Sequence, residues 1–335
     1  MRPAALVLAL LGCQLEVPVG GGTETIPAHP QLDVLLVVSD APGAGQVQRY
    51  LKNGFPYFLY GLRVAREQLP DLRIAVVSTS MGAGAFTQAL PDCVFSTGGR
   101  MNGWLEVHEH EADPVDEFAQ RVTLGENGCR FPQPLAAAAA ALGRDAPPEN
   151  SGFLRDLAHL AIVFATDADD CSVPADSLLF DPTQDSPEAP LGPLTTFRCA
   201  AMGVACNGHP LPRMPTGPLT NCVPSDLAHQ IVDPSHALVP TSTYRQAFGT
   251  IKRDPHRFMT VAFTDMFDPM TLSIDPGPNL TPACHLPDGF TWQPQVRLSA
   301  TTDMHVPVCQ GYGYEMMSAL GYMLGTWMYQ PPHVD

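Results

Sequence analysis

The densest set of oxygen ligands in the sequence is Thr166-Asp167-Ala168-Asp169-Asp170-Cys171, and a further carboxylate, Asp40, follows the aliphatic run Leu32–Val38. Carboxylates at such spacing can converge on a hard cation. They can divide acid and base roles, or cap a helix N-terminus. The run is not an EF-hand loop, because Cys171 stands where an Asx ligand belongs and no Gly follows. His108-Glu109-His110-Glu111 is a second candidate. On a strand, His108 and His110 would share a face, giving two ligands. The i, i+4 histidines of a metalloprotease helix are missing and no third ligand is indicated, so a solvated edge strand is the preferred reading. No G-x-S-x-G elbow, S-x-x-K set or phosphate-binding G-x-x-x-x-G-K-[ST] loop occurs. Gly82-Ala83-Gly84 does not extend to a dinucleotide fingerprint, since position 87 is Thr87, and is expected to be a tight turn. No catalytic residue, cofactor or enzymatic activity is therefore expected.

The nine cysteines carry the next signal. Cys13 closes a short basic and apolar leader, Met1-Arg2-Pro3 followed by Ala4–Leu11 and Gly12. A run that short cannot cross a bilayer, which takes ~20 residues as a helix, but it has the layout of a secretory signal. Leu10-Leu11-Gly12-Cys13 resembles a bacterial lipobox. That resemblance implies a signal peptide over 1–12, lipidation of Cys13, and a lipidated tether over 13–30 with Gly20–Thr23 flexible. Gln14 in the second mature position, in place of Asp, implies outer-membrane sorting. The alternative is a plain signal peptide that contains a cysteine. With Cys13 lipidated, eight cysteines remain for four bridges, which persist outside the cytoplasm. Choosing nearest neighbours within each segment gives Cys93–Cys129, Cys199–Cys206 and Cys284–Cys309, with Cys171–Cys222 closing the insert. Zinc is disfavoured, as no C-x2-C pair is present. Asn279-Leu280-Thr281 matches a glycosylation acceptor, which bacterial export discounts.

These groups need a scaffold. The aliphatic runs Leu32–Val38, Arg73–Thr79, Leu160–Ala165 and Phe258–Phe263 predict buried strands, with Val296–Ala300 a fifth. Helical spacing predicts helices over Val47–Leu69, Pro114–Leu124, Pro134–Leu142 and Tyr312–Tyr329, the first kinked or split at Pro56. In the last, Met316, Leu320, Met323 and Trp327 form one stripe, expected to be core. Strands alternating with amphipathic helices predict an α/β fold, a mainly parallel sheet with helices on both faces. The Pro- and Gly-rich stretch at about 172–240 breaks that alternation and is expected to be a disulfide-stapled loop insertion. Hydrophobic residues make up 45% of the chain, which excludes wholesale disorder. The net charge of −16, from 18 basic and 34 acidic residues, excludes a nucleic-acid partner. It also argues against docking on an anionic membrane surface through protein charge.

The strand Leu32–Val38 with its Gly-containing turn, and Leu160–Ala165 running into Thr166-Asp167, resemble the first and fourth strands of a von Willebrand factor A-like domain. The segments LAIVFATDADDCS, GPLTTFRCAAMGVAC, PACHLPDG and VCQGYGYEMMSAL are similar to exported lipoproteins of that type from myxobacteria. The resemblance implies one domain over 31–330 with a Rossmann-like three-layer sandwich. The family usually carries a metal-ion-dependent adhesion site. Here its positions are filled by Ser39, Ala41 and Gly43, and only Asp167 is kept. The loop threonine has no clear match; Cys129–Pro134 fills that neighbourhood. The site is expected to be degenerate, with Asp40 and Asp169 as weak substitutes beside Asp167. The function implied is a cell-envelope protein-binding or adhesion module, held to the membrane through its lipid alone. Its binding edge would be Ser39–Gly43, Ser78–Gly82 and Thr166–Asp170. The alternatives are an envelope hydrolase using the same loops, or a structural envelope protein without soluble ligand.

Overall fold

A computed structural model describes residues 16–19, 22–25, 29–94, 96–109, 113–228, 232–265, 269–274, 277–309 and 313–329. Its centre is a sheet of β1 (Gln31–Val38), β2 (Asp71–Ser78), β3 (Trp104–Val107), β4 (His159–Ala165), β5 (Phe258–Phe263) and β6 (Met304–Val306). The spatial order is β3-β2-β1-β4-β5-β6, parallel throughout except for β3, which runs antiparallel to β2. The protein is thus α/β with a mixed, mostly parallel central sheet.

The long aliphatic runs become central strands because both of their faces are covered. In β1, Leu32, Val34, Leu36 and Val38 join a core with α1 (Gly45–Arg66), α2 (Val115–Val122) and α7 (Gly313–Trp327). Leu35 and Val37 point the other way, into a core with α3 (Pro134–Leu142) and α5 (Thr241–Phe248). The period-2 alternation of a strand splits one apolar run between two cores.

Pro56 neither ends nor divides α1, which continues through it. The helix is held by close packing on α7. A Cβ on Gly61 would lie 2.4 Å from the Ser318 carbonyl oxygen, and one on Gly321 would lie 2.1 Å from that of Phe58. Only glycine admits so close an approach. Met316 and Leu320 are buried and Met323 and Trp327 pack against the same core, as their stripe predicts.

Three expectations are corrected here. Val296–Ala300 is not a strand but part of helix α6 (Val296–Thr301). Val, Leu and Ala alternate there as in a strand, and over five residues that pattern cannot exclude a helix. The neighbouring edge strand is β6, just beyond. The tether is not uniformly flexible: Glu16–Val19 and Gly22–Thr25 pair antiparallel. Gly20-Gly21 between two strand-like runs is a hairpin signal. Cys13 lies outside the described residues.

The third correction concerns the cysteines. Cys93–Cys129 and Cys284–Cys309 are bonded as expected. The insertion instead contains Cys171–Cys199 and Cys206–Cys222, not Cys171–Cys222 and Cys199–Cys206. Val204–Cys206 and Cys222–Pro224 form an antiparallel pair in which Cys206 directly opposes Cys222. Cys199 belongs to α4 (Phe197–Gly203), before the ladder begins, and reaches Cys171 after β4. Beside it the fully buried Arg198 donates to the carbonyls of Leu179, Asp181, Gln184, Gly192 and Pro193. One guanidinium thereby satisfies the polar backbone of an otherwise irregular insertion.

Candidate functional site

Parallel strands deliver their following loops to one edge. Ser39 N–H donates to the Ala165 carbonyl at 3.0 Å and Thr79 N–H to that of Val38 at 3.1 Å, so the ladder extends one residue past the strands. By the β1–β4 register, Val38 opposite Ala165, the next positions in line are Ser39 with Thr166 and Asp40 with Asp167.

The floor of this edge is closed. Ser39, Ser78, Thr79, Ser80, Thr166 and Asp170 are all buried. Ser39 Oγ accepts the Ala41 N–H at 3.4 Å, and its carbonyl accepts from Gln48 Nε2 at 2.9 Å. Gln48 also donates to the Gly125 carbonyl and accepts from the N–H groups of Leu124 and Gly125. Ser80 Oγ donates to Asp40 Oδ1 and accepts the Cys129 N–H, both at 2.8 Å. The Asp40 carboxylate lies over Gly128, where a Cβ would come within 2.2 Å of its Cγ. Cys93–Cys129 locks the same loop covalently.

The acidic run divides into two uses. Asp169 accepts N–H bonds from Arg297, Leu298 and Asp170, and so caps the start of α6. Burial outweighs these donors and pushes its carboxyl up to about 6. Asp170 accepts the Leu135 N–H at the start of α3 and both donors of Ser172, and pairs with Arg297 at 3.2 Å. These two are structural. Asp167 differs from them in its partners: burial pushes its carboxyl up to about 6, as it does that of Asp169, but only its own N–H opposes the shift.

An adhesion-type metal does not fit this arrangement. Ala41 and Gly43 have no side-chain oxygen, the Ser39 hydroxyl accepts a local N–H, and Asp169 is committed to α6. Of the half-exposed carboxylates Asp40, Asp167 and Asp169, only Asp40 and Asp167 are not committed to the start of α6. Among the described residues, no group of three or more His, Cys, Asp or Glu side chains is placed to hold a metal ion.

The histidine candidate falls elsewhere. β3 ends at Val107, so His108 lies just beyond the strand and not within it, because the ladder with β2 starts at Leu72. His108 Nδ1 lies 3.1 Å from Asp71 Oδ1, and Glu109 accepts the Leu69 N–H. Both line a cavity of about 460 Å³ with His29 and Glu67, at the opposite end of the sheet. His110 and Glu111 lie outside the described residues. Gly82 and Gly84 take positive φ values of 97° and 57°, a tight turn as expected.

Sequence reasoning missed Gln48, Gln295 and Arg297 among the buried polar groups that fasten the edge, whereas Ser80 and Gln133 fall within the stretches Ser78–Gly82 and Cys129–Pro134 that it placed there. Gln48 had a readable signal, a polar residue beside Val47 in the apolar stripe of α1. Arg297 had none, since its partners Asp170 and the Val239 carbonyl are remote in sequence.

No protein-family model matches the chain, and no curated protein matches it. Among solved structures it is similar to the pilus adhesin SpaC from Lactobacillus rhamnosus GG in its open conformation, at 10% identity and a TM-score of 0.39. The match covers 89% of this chain and 30% of the adhesin, so the chain spans under a third of that protein's length. A likeness at that score carries no argument about function.

Proposed function

We propose that the chain is an exported, lipid-anchored domain of the von Willebrand factor A type. In this reading it has a Rossmann-like three-layer arrangement and acts as a metal-independent protein-binding or adhesion module. Four disulfides are compatible with export, and no described helix is long and apolar enough to cross a membrane. The strand order, 3-2-1-4-5-6 in this numbering, is that of doubly wound sheets, whose ligands bind where the order reverses, between β1 and β4.

The observation that carries the reading is the rim at this reversal. Asp40 and Asp167 each lie two residues beyond the end of the adjacent strands β1 and β4, half-exposed above a buried and disulfide-locked floor. A rigid pair of carboxylates suits basic or hydrogen-bond-donating groups of a protein partner, without a bridging cation.

Capture of envelope and secreted proteins on the mature chain tests this. Binding should survive chelation and fall at least about tenfold with Asp40→Asn plus Asp167→Asn. Loss on chelation, or indifference to both substitutions, would overturn it. Labelling with a radioactive fatty acid should mark the chain, and Cys13→Ser should abolish the label. A hydrolase is the second reading, favoured by one feature: an Asp167 carboxyl near 6 is poised as a general acid. It requires turnover of an envelope substrate that Asp167→Asn abolishes.

A further inference from the structure

A cavity of about 470 Å³ is lined by two segments that each lead into a strand. Leu154, Asp156 and Leu157 precede β4, and Ile251, Lys252 and Arg253 join α5 to β5, with Asp254 and Arg257 further along. β4 and β5 are parallel neighbours, so the cavity lies at the opposite end of the sheet from Asp40 and Asp167.

The chain has two lysines. Lys52 is exposed on α1, whereas Lys252 is only 8% exposed at the wall of this cavity. A lysine is rarely buried without a charged partner. The Lys252 Nζ donates to the Arg155 carbonyl at 2.5 Å, and among the described residues it is in no ion pair. The nearest carboxylates are engaged with arginines. Asp33 pairs with Arg155 at 2.7 Å, and Asp254 with Arg257 at 3.4 Å. Arg257 also donates to the Leu157 carbonyl. Asp156 and Arg253, both exposed, line the cavity beside Lys252 and are in no ion pair among the described residues.

Burial favours the neutral amine of Lys252 over its ammonium; Arg257 and Arg155 add to this, and Asp33 and Asp156 oppose it. A desolvated lysine near other cations is a nucleophile, because more of its amine is unprotonated. One N–H suffices for the bond to the Arg155 carbonyl, so the lone pair stays available. The rest of the wall fits one class of electrophile. The Arg253 guanidinium matches a carboxylate, and Leu154, Leu157 and Ile251 suit an apolar remainder.

We propose that Lys252 is a covalent capture site for small oxo acids, its amine condensing with their carbonyl carbon while Arg253 holds their carboxylate. The Nζ lone pair attacks the carbonyl carbon, and one proton moves from nitrogen to the former carbonyl oxygen. The resulting hydroxyl leaves as water, taking a second proton, while nitrogen closes the C=N bond and gives up its last one. The Asp156 carboxyl, on the same wall, can carry these protons. One water is released for each oxo acid bound, and nothing is oxidised or reduced. Hydrolysis reverses the capture, so the site binds and releases its ligand without turnover.

Reductive trapping on the whole chain tests this. Glyoxylate with cyanoborohydride at pH 7 fixes the imine as carboxymethyl-lysine, which peptide mapping locates. Lys52, exposed and outside the cavity, is the internal reference. Lys252 should be modified at least about tenfold faster than Lys52. Arg253→Gln, at an exposed position, should slow the modification of Lys252 by glyoxylate at least about tenfold. It should leave unchanged the modification by acetaldehyde, which has no carboxylate. Modification of Lys252 no faster than that of Lys52 would reduce the lysine to a clasp between two loops and overturn the inference. So would a glyoxylate rate that Arg253→Gln leaves unchanged, or that falls only as much as the acetaldehyde rate. Neither the probes nor the variant involves Asp40 or Asp167, so the outcome is independent of partner binding at the rim.

Discussion

His159 and Asp167 stand at opposite ends of β4 and respond to acid with opposite sign. Burial, reinforced by Arg257 and Arg66, pushes the His159 imidazole down to about 4, while burial pushes Asp167 up to about 6. The unfolded chain protonates its histidine near 6.5, so the His159 contribution is lost as pH falls from about 6.5 to 4. For Asp167 the folded state binds its proton first, so stability is gained as pH falls from about 6 to 4. Urea denaturation at pH 7 and pH 5 separates them. Asp167→Asn should steepen the loss of stability on acidification relative to wild type, and His159→Phe, which keeps the ring against Trp327, should lessen it. Parallel behaviour of either variant and the wild type would contradict the assignment.

At the level of elements, two contacts decide how the sheet is dressed. The α1–α7 crossing depends on glycine, and Gly321→Ala tests it against intrinsic propensity. Alanine favours a helix by about 1 kcal/mol over glycine. Here its Cβ would overlap the Phe58 carbonyl oxygen, forcing the helices apart. Overpacking of this kind costs about 1–3 kcal/mol, so the unfolding temperature should fall; a rise would disprove the tight crossing. In the insertion, peptide mapping without reduction should recover Cys171 with Cys199 and Cys206 with Cys222. Cys206→Ser with Cys222→Ser opens a loop of 16 residues and should cost about 3 kcal/mol. A Cys199–Cys206 peptide would refute the antiparallel ladder around them.

On the scale of the whole molecule, the excess of 34 acids over 18 bases sets a repulsion that the ion pairs only partly relieve. Most pairs are exposed, such as Arg100–Glu149 and Arg63–Glu109, and exposed pairs contribute little. The buried pairs Asp33–Arg155 and Asp170–Arg297 are screened far less by salt. Raising ionic strength from about 10 mM to about 150 mM shortens the Debye length from ~30 to ~8 Å. The unfolding temperature should therefore rise with salt. A fall would mean that surface pairing outweighs net repulsion.

Local pattern was enough wherever a residue's fate depends on its own neighbours in the chain. The runs at Leu32–Val38 and Phe258–Phe263 read as buried strands, because adjacent apolar groups in so short a run leave water on both faces of a strand. The spacing of Val47, Leu51, Phe55 and Phe58 marks one helix face for the same reason. That Ala41 and Gly43 offer no side-chain oxygen to a cation was equally legible, since neither carries one in any fold. What chain pattern could not say is which remote group meets which. Cys206 faces Cys222 only because a small ladder aligns them, and Asp169 becomes a cap only because α6 begins where it points. Lys252 reaches the Arg155 carbonyl only because β4 and β5, far apart in sequence, lie side by side. Periodicity reports how a segment divides itself between water and core; the partner of a polar or cross-linking group is decided when the chain closes through space.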